Sequence, residues 1–500
     1  MQPAPKVPAI PATKAQAAKA PAAKAASAPK TVDEITVTGA SQNGYRSSID
    51  RRSYGIANDL QSTTGSISDA LKNVPSVEVD LQGNVSLRGD PNVTILVDGK
   101  PSALFRGQSA AQALQALPAG SVERVEVITN PSAEFSPDGS AGIINLVMKK
   151  THQAGESGSV RYNTGSAGRR NGGVSGAYNS DKLTVSGDAG FRHDPQHSVN
   201  TDDRTVFDPP GAPVETNHTV SDNRGPFDQW NVRAGVDYDA NKTDRLSAEA
   251  HANQTFLNFF NTEHLRGFNS EGAENEVFDQ TGQIKQVRDN RGGQLSWRRS
   301  AGLDDEISLS GSHETTYERN ENDFTNVTSL PAEPNDFQDI RNHNILALTD
   351  LRVDYKHPLA GDAKLKLGYE LRVDDDSYDS VAERGLDAAA AGPDPTLTNL
   401  FLYKQTINSA YVTYERPFGD FTVLGGLRIE DVALDLNQVT SAIVHDANTF
   451  DVYPTLHLGY RLSDNQQLSL SYSRRVSRPS PTDLNPFVIE QDAFGWATPI

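Results

Sequence analysis

The sequence predicts a mainly β protein in which a small α+β domain precedes an antiparallel transmembrane β-barrel. Three observations carry that prediction. From about Ser157 onward, about thirteen segments of roughly ten residues alternate apolar and polar side chains, which places the two kinds on opposite faces of a strand. The connectors between these segments are alternately short and long. The stretch before them alternates only weakly and carries helix signals and short strand patterns, as a compact mixed domain would.

The alternation is sharpest in KLKLGYELRVD. There Leu365, Leu367, Tyr369, Leu371 and Val373 form one face, and Lys364, Lys366, Glu370, Arg372 and Asp374 the other. Trp230, Val232, Ala234, Val236 and Tyr238 repeat the pattern against Asn231, Arg233, Gly235 and Asp237. About 9–11 residues cross a bilayer as a tilted strand, so these segments have the length of membrane strands. The short links include NSDK at Asn179, DANKTD at Asp239, HPLAGD at His357, ERPFGD at Glu415 and RLSDNQ at Arg461. The long ones read as polar loops from Asp194 to Phe227, Phe256 to Arg291, Glu318 to Asn342, Asp375 to Tyr403 and Glu430 to Asp451. A soluble sandwich or propeller has no reason to place every long connection on alternate links, whereas an outer-membrane barrel puts short turns on one rim and long loops on the other. Tyrosines at strand ends, Tyr178, Tyr238, Tyr355, Tyr414 and Tyr460, suit an aromatic girdle. The oily face of each strand is therefore expected to meet outer-membrane lipid, and the charged face a wet interior. Plugged barrels close with about 22 strands. The chain is expected to hold the N-terminal part of such a barrel, about 13 strands, and to be incomplete at its C-terminus.

Composition narrows the function classes. Of 500 residues, 46 are Lys or Arg and 65 Asp or Glu, a net charge of −19 that argues against a general grip on nucleic acid. The absence of cysteine excludes disulfides, thiolate zinc sites and cysteine nucleophiles. No run of about 18 apolar residues marks a transmembrane helix, and a membrane strand needs none. Residues 1–30 form an Ala/Pro/Lys tract that reads as a flexible linker. It lacks the apolar core of a secretion signal, so that signal is expected to have been removed or to lie upstream.

Between Ser66 and Lys150 the signals are those of a small soluble fold. A helix opens at Ser66 with Asp69 three residues on, much like a capping box. It is followed by GNVSLRG, NVTILVDGKPS, a second helix around Ala110 to Leu117, and the strands SVERVEVI and AGIINLVMKK. Taken in this order, SISDALKNVPSVEVD, VSLRG, ILVDGKPS and SVERVEVITNPSAEFSPDGSAGIINLVMKK resemble the plug domain of TonB-dependent outer-membrane receptors. YSRRVSRPSPTDLNPF, Tyr472 to Phe487, is similar to a stretch late in the barrel region of one branch of that family. DEITVTG, from Asp33, sits where the family places its energy-coupling box. The resemblance divides the chain into a linker at 1–30, a TonB-box segment at 31–44, a plug at 45–152 and barrel from 153 to 500.

The resemblance also implies a mechanism. A TonB-type protein of the inner membrane would pair with Glu34, Ile35, Thr36, Val37 and Thr38 by strand addition and pull on the plug. A scarce, bulky extracellular ligand of the siderophore, cobalamin or glycan class would then enter through a monomeric barrel in the bacterial outer membrane. The competing reading is a passive porin or an adhesin, which has no use for a plug or a coupling box. Plug loops that face outward in the family correspond here to Asp80, Gln82, Asn84, Asp90 and Asn92, which are candidate ligand contacts and equally ordinary turn residues. Arg88, Gly89, Asp98 and Gly99 belong to the plug motif. Many relatives carry Arg-Gly-Pro after VEVI where this chain has Thr129, Asn130 and Pro131, which puts in doubt a lock between two plug arginines and barrel carboxylates. Phe259 and Phe260, within TFLNFFNTEH, are expected either to form part of an aromatic girdle or to stack on a ligand. No catalytic residues, metal site or cofactor are expected. His193 and His197 flank a proline-containing loop unsuited to a helical metal pair, and Asp374, Asp375 and Asp376 read as a solvated acidic rim more readily than as a calcium site. Nucleophile elbows, phosphate-binding glycine loops and HExxH are all lacking.

Overall fold

The computed structural model describes residues 45–47, 49–56, 66–80, 83–101, 111, 114, 119–139, 141–148, 155–208, 211–302, 305–463, 466–490 and 497–499. The coupling segment Glu34 to Thr38 and the plug-loop residue Gln82 lie outside them. Of the second plug helix only Ala111 and Leu114 are described, both buried.

The plug strands are β1 (Tyr45–Ser47), β2 (Arg52–Gly55), β3 (Val77–Val79), β4 (Val85–Leu87), β5 (Val93–Val97), β6 (Lys100–Pro101), β7 (Val122–Ile128) and β8 (Gly142–Met148). Six of them form a sheet in the order β1-β2-β7-β8-β5-β6, with β5 parallel to β8, and β3 and β4 form a separate hairpin. Helix α1 (Ile67–Leu71) starts as expected, with reciprocal capping between Ser66 and Asp69. Its Ile67 and Leu71 pack with Val122, Val125, Ile144 and Leu146 in a core that belongs wholly to the plug. Turn chemistry accounts for the plug motif. Arg88 and Gly89 have φ of 56° and 82°, and Asp98 and Gly99 have 49° and 81°. Positive φ at both central residues defines the tight turn that matches strand twist.

Thirteen strands follow: β9 (Gly155–Thr164), β10 (Arg170–Asn179), β11 (Leu183–Asp208), β12 (Ala212–Asp239), β13 (Asp244–Asn269), β14 (Glu274–Ser300), β15 (Glu306–Leu330), β16 (Asp336–Leu359), β17 (Ala363–Gly385), then, past the two-residue β18 (Gly392–Pro393), β19 (Asn399–Phe418), β20 (Phe421–Gln438), β21 (Ile443–Ser463) and β22 (Gln466–Ser473). Each pairs antiparallel with the next along the chain, β17 pairing with β19 while β18 pairs beside it. The two edges, β9 and β22, are not paired with each other among the described residues.

The long polar connectors are not loops, which corrects the reading of the sequence. Pairing between β11 and β12 continues from Asp194↔Phe227 to Asp208↔Ala212, and β13 with β14 and β15 with β16 are likewise paired to Phe268↔Glu274 and Asn326↔Asp336. Strands of 23 to 28 residues result from β11 to β17. At about 3.3 Å per residue they stand well beyond a hydrocarbon core about 30 Å thick. Apolar alternation marks only the part of a strand that touches lipid. Backbone pairing continues wherever two arms stay in register, whatever their side chains.

Candidate functional site

The polar face of the barrel strands meets the plug. In KLKLGYELRVD, Leu367 and Tyr369 are exposed on the lipid side at 41% and 44%. On the other face Lys366 Nζ donates to Glu134 Oε2 of the plug at 2.6 Å, and Glu370 is buried and accepts from Arg428 at 2.8 Å. Arg372 pairs with buried Asp374 at 3.1 Å. These charges therefore do not line open water, as the sequence suggested. They are neutralised by one another and by the plug, because burial without a partner would cost several kcal/mol per ion.

Among the described residues no ion pair joins a plug arginine to a barrel carboxylate. Arg88 is exposed at its turn, and Arg51 pairs with Asp50 (3.0 Å), Glu126 (3.7 Å) and Glu134 (3.7 Å), all within the plug. The barrel carboxylates Glu370 and Glu430 are held instead by Arg428 and Arg478. The polarity of the seat is reversed: barrel cations hold plug acceptors. Besides Lys366, Arg352 donates to the Glu134 carbonyl (3.1 Å), and Arg475 to the carbonyls of Asp138 (2.7 Å) and Gly139 (3.0 Å). Asn130, next to Thr129, donates to Ser471 at 2.7 Å. Burial pushes the Glu134 carboxyl up, but Lys366 and Arg51 outweigh it and hold it below the usual glutamate range. Asp50 is likewise depressed, Arg51 overcoming its burial. A polar cavity of about 220 Å³ opens beside this seat, lined by Asp50, Arg51, Ser132, Glu134, Lys366 and Glu415 among others.

A second tie joins the segment after β22 to the plug. After β22 the chain turns inward as residues 474–487. Gly139 donates its N–H to the Val476 carbonyl (3.1 Å), and Asn92 Nδ2 donates to Ser477 Oγ (2.7 Å). Helix α2 (Pro481–Leu484), capped by Ser480 and Asp483, brings Leu484 against Phe401, Tyr403 and Leu436 of the barrel wall, and Asn485 accepts from Gln438 at 3.0 Å. The sequence signal was YSRRVSRPSPTDLNPF itself, whose prolines break the strand pattern.

The remaining candidates separate. Asp80 accepts from the backbone and side chain of Asn84 and so closes its own turn, and Asp90 accepts from the Asn92 N–H. Asp98 accepts from the Met148 N–H, and Gly99 N–H donates to Asn145. Phe259 and Phe260 lie on opposite faces. Phe260 is on the outward side, 60% exposed, and Phe259 points to the lumen, so the two cannot act as one pair. His193 and His197 pair separately with Asp228 (2.6 Å) and Asp222 (3.1 Å). Asp375 faces away from Asp374 and Asp376, and no group of three or more potential metal ligands forms among the described residues.

A long-stranded membrane sheet whose inner face seats a separately folded domain defines an outer-membrane β-barrel with an occupied lumen. The TonB-dependent receptor plug domain model matches residues 46–143, and that of the outer membrane protein beta-barrel family matches residues 300–498. An iron-regulated outer membrane virulence protein of Vibrio cholerae is 35% identical over 153 residues, 27% of this chain and 23% of that protein. The alignment thus spans about a quarter of the curated relative's length. The siderophore receptor PiuA of Acinetobacter baumannii superposes with a TM-score of 0.56 at 14% identity, covering 86% of this chain and 65% of that one. The ferric yersiniabactin uptake receptor of Yersinia pestis gives 0.54 at 14%, covering 85% and 64%. At such identities the two structures show the fold alone. Residues 46–143 thus belong to the TonB-dependent receptor plug domain family and residues 300–498 to the outer membrane protein beta-barrel family, and together the two matches span more than half of the chain.

Proposed function

We propose that this protein takes up a scarce, bulky extracellular ligand by energy-coupled rearrangement of its plug. The observation that carries this reading is the chemistry of the seat. The plug keeps its apolar core to itself and meets the barrel mainly through ion pairs, hydrogen bonds and a polar cavity, with small apolar contacts where Ala133 and Ile49 face Gly426 and Gly459. A domain so held can shift while exposing little apolar surface to water, the costliest part of moving a packed domain. A passive pore gains nothing from a folded domain in its lumen, which disfavours the porin or adhesin alternative. The names of the relatives point toward iron and siderophores, and the ligand of this chain belongs to the proposal.

In this reading a TonB-type partner adds a strand to Glu34–Thr38 and pulls. The load next reaches β1, an edge strand joined to β2 by only three residue pairs, and then the Asp50–Arg51 corner of the seat. Ile35→Pro or Val37→Pro removes a backbone donor from the added strand. Ligand binding should persist in both variants while uptake is lost. Uptake equal to that of the unaltered protein under ligand limitation would refute the coupling.

A further inference from the structure

We propose that the lumenal wall of the tall hairpins on β13 to β16 is a binding platform for a neutral, polyhydroxylated ligand, an uncharged oligosaccharide. This rests on the uptake reading and names its substrate class. Above the lipid band, the strands alternate amides with charges in register. In β15, Asn320, Asn322 and Phe324 share the inner face, while Arg319, Glu321 and Asp323 share the outer face with lipid-side Tyr317. In β16, Gln338, Ile340, Asn342 and Asn344 face inward, and Asp339, Arg341 and His343 face outward with Ile345. β14 continues the inner set with Gln280, Ile284 and Gln286 and sends Lys285 outward. The one inward cation of this panel among the described residues, Arg288, lies 3.3 Å from Glu318 along its lower edge, and of the inward carboxylates Glu263, Glu276 and Asp336, Glu263 accepts from Ser221 and Asp336 from Arg384 and Gln338.

Two aromatic rings sit among the amides, each against a glycine. A Cβ at Gly282, directly across from Phe324, would stand 2.4 Å from its Cδ1. At Gly225 a Cβ would stand 2.5 Å from Cδ1 of Phe259. Each ring therefore covers a bare backbone position on the inner wall. Around Phe324, the side chains of Asn320, Asn322 and Asn342 make no hydrogen bond to another described residue, and all are half-buried.

The chemistry selects the ligand. A carboxamide both donates and accepts on one side chain, as a sugar hydroxyl does, and carries no charge bias. Flat ring faces offer apolar area to the C–H face of a pyranose, the combination of aromatic floor and few oriented polar groups that ligand sites use. An anionic iron chelate would be recognised by unpaired cations, which this wall directs to its other face or neutralises internally.

The test measures binding of maltohexaose, cellohexaose and xylohexaose, and of ferric citrate and ferrichrome, to the full chain in detergent by calorimetry. At least one hexasaccharide should bind and the ferric complexes should not. Phe324→Ala should weaken that binding about tenfold, the effect of losing an aromatic anchor, and Phe324→Trp should retain it. Asn322→Asp should weaken it by a similar factor without changing heat-modifiable migration, which keeps the test decisive where Phe324→Ala misfolds. Glu321→Gln, on the outer face, should leave it unchanged. Binding of a ferric complex in place of the sugars, binding of none of the probes, or sugar affinity indifferent to Phe324 and Asn322 would overturn the proposal. Binding in detergent needs no energy coupling, so that failure stays separate from failure of the proline variants, which tests transport alone.

Discussion

Replacing Glu134 by glutamine removes a plug charge that a barrel cation contacts directly while preserving its shape. Its carboxylate lies 2.6 Å from Lys366 Nζ and 3.7 Å from an Arg51 nitrogen. With an effective dielectric of about 20, those separations correspond to roughly 6 and 4.5 kcal/mol of gross attraction. Most of that is returned as desolvation, and charge-assisted bonds of this kind retain about 1.5–3 kcal/mol net. Glu134→Gln should therefore loosen the plug by about 2 kcal/mol. Hydrogen exchange of peptides covering Val122–Ile128 and Gly142–Met148 across a urea titration reads the plug's opening free energy. The sign with pH follows from the direction of the shift. A carboxyl held below its unfolded value contributes fully at neutral pH, and the contribution fades as pH falls below about 4. The gap between the two proteins should accordingly be widest near pH 7 and close in acid. A gap under about 0.5 kcal/mol at pH 7, or one that widens in acid, would refute the account of the seat.

Tyr369→Arg, on the lipid face of β17, should cost about 2–4 kcal/mol in urea unfolding from vesicles, and an equal stability would mean that face does not meet lipid. Gly368→Ala places a Cβ 2.1 Å from the Tyr411 ring, which must move and give up its bond to Asp354; a loss of about 1–3 kcal/mol is expected, read as a lower temperature for the shift in heat-modifiable migration. Replacing residues 202–219 by a two-residue turn removes equal lengths of both arms of the β11–β12 hairpin, and the shortened protein should still fold. Deleting Gly225 alone should be far more harmful, because a one-residue slip turns every later side chain of that arm to the opposite face. Equal tolerance of the two deletions would mean that this region is a loop after all.

Local rules made much of this protein legible in its sequence. The period-two pattern of KLKLGYELRVD placed Leu367 and Tyr369 on the lipid side, and the short links marked the turns that join β12 to β13 and β16 to β17. Ser66 with Asp69 set a helix start, and Asp98-Gly99 set a hairpin, because capping and positive φ depend on residues a few positions apart. The same alternation, extended past the lipid band, would have separated Phe259 from Phe260 and amides from charges. Polar arms carry no hydrophobic contrast by which that alternation shows itself. Only tertiary structure decided what neutralises the inner charges. Lys366 and Glu134 stand 232 residues apart, and Asn92 and Ser477 stand 385 apart. No local periodicity reports which buried charge will find which partner, since that choice is made by Coulomb energy and desolvation after the plug and strands have been brought together.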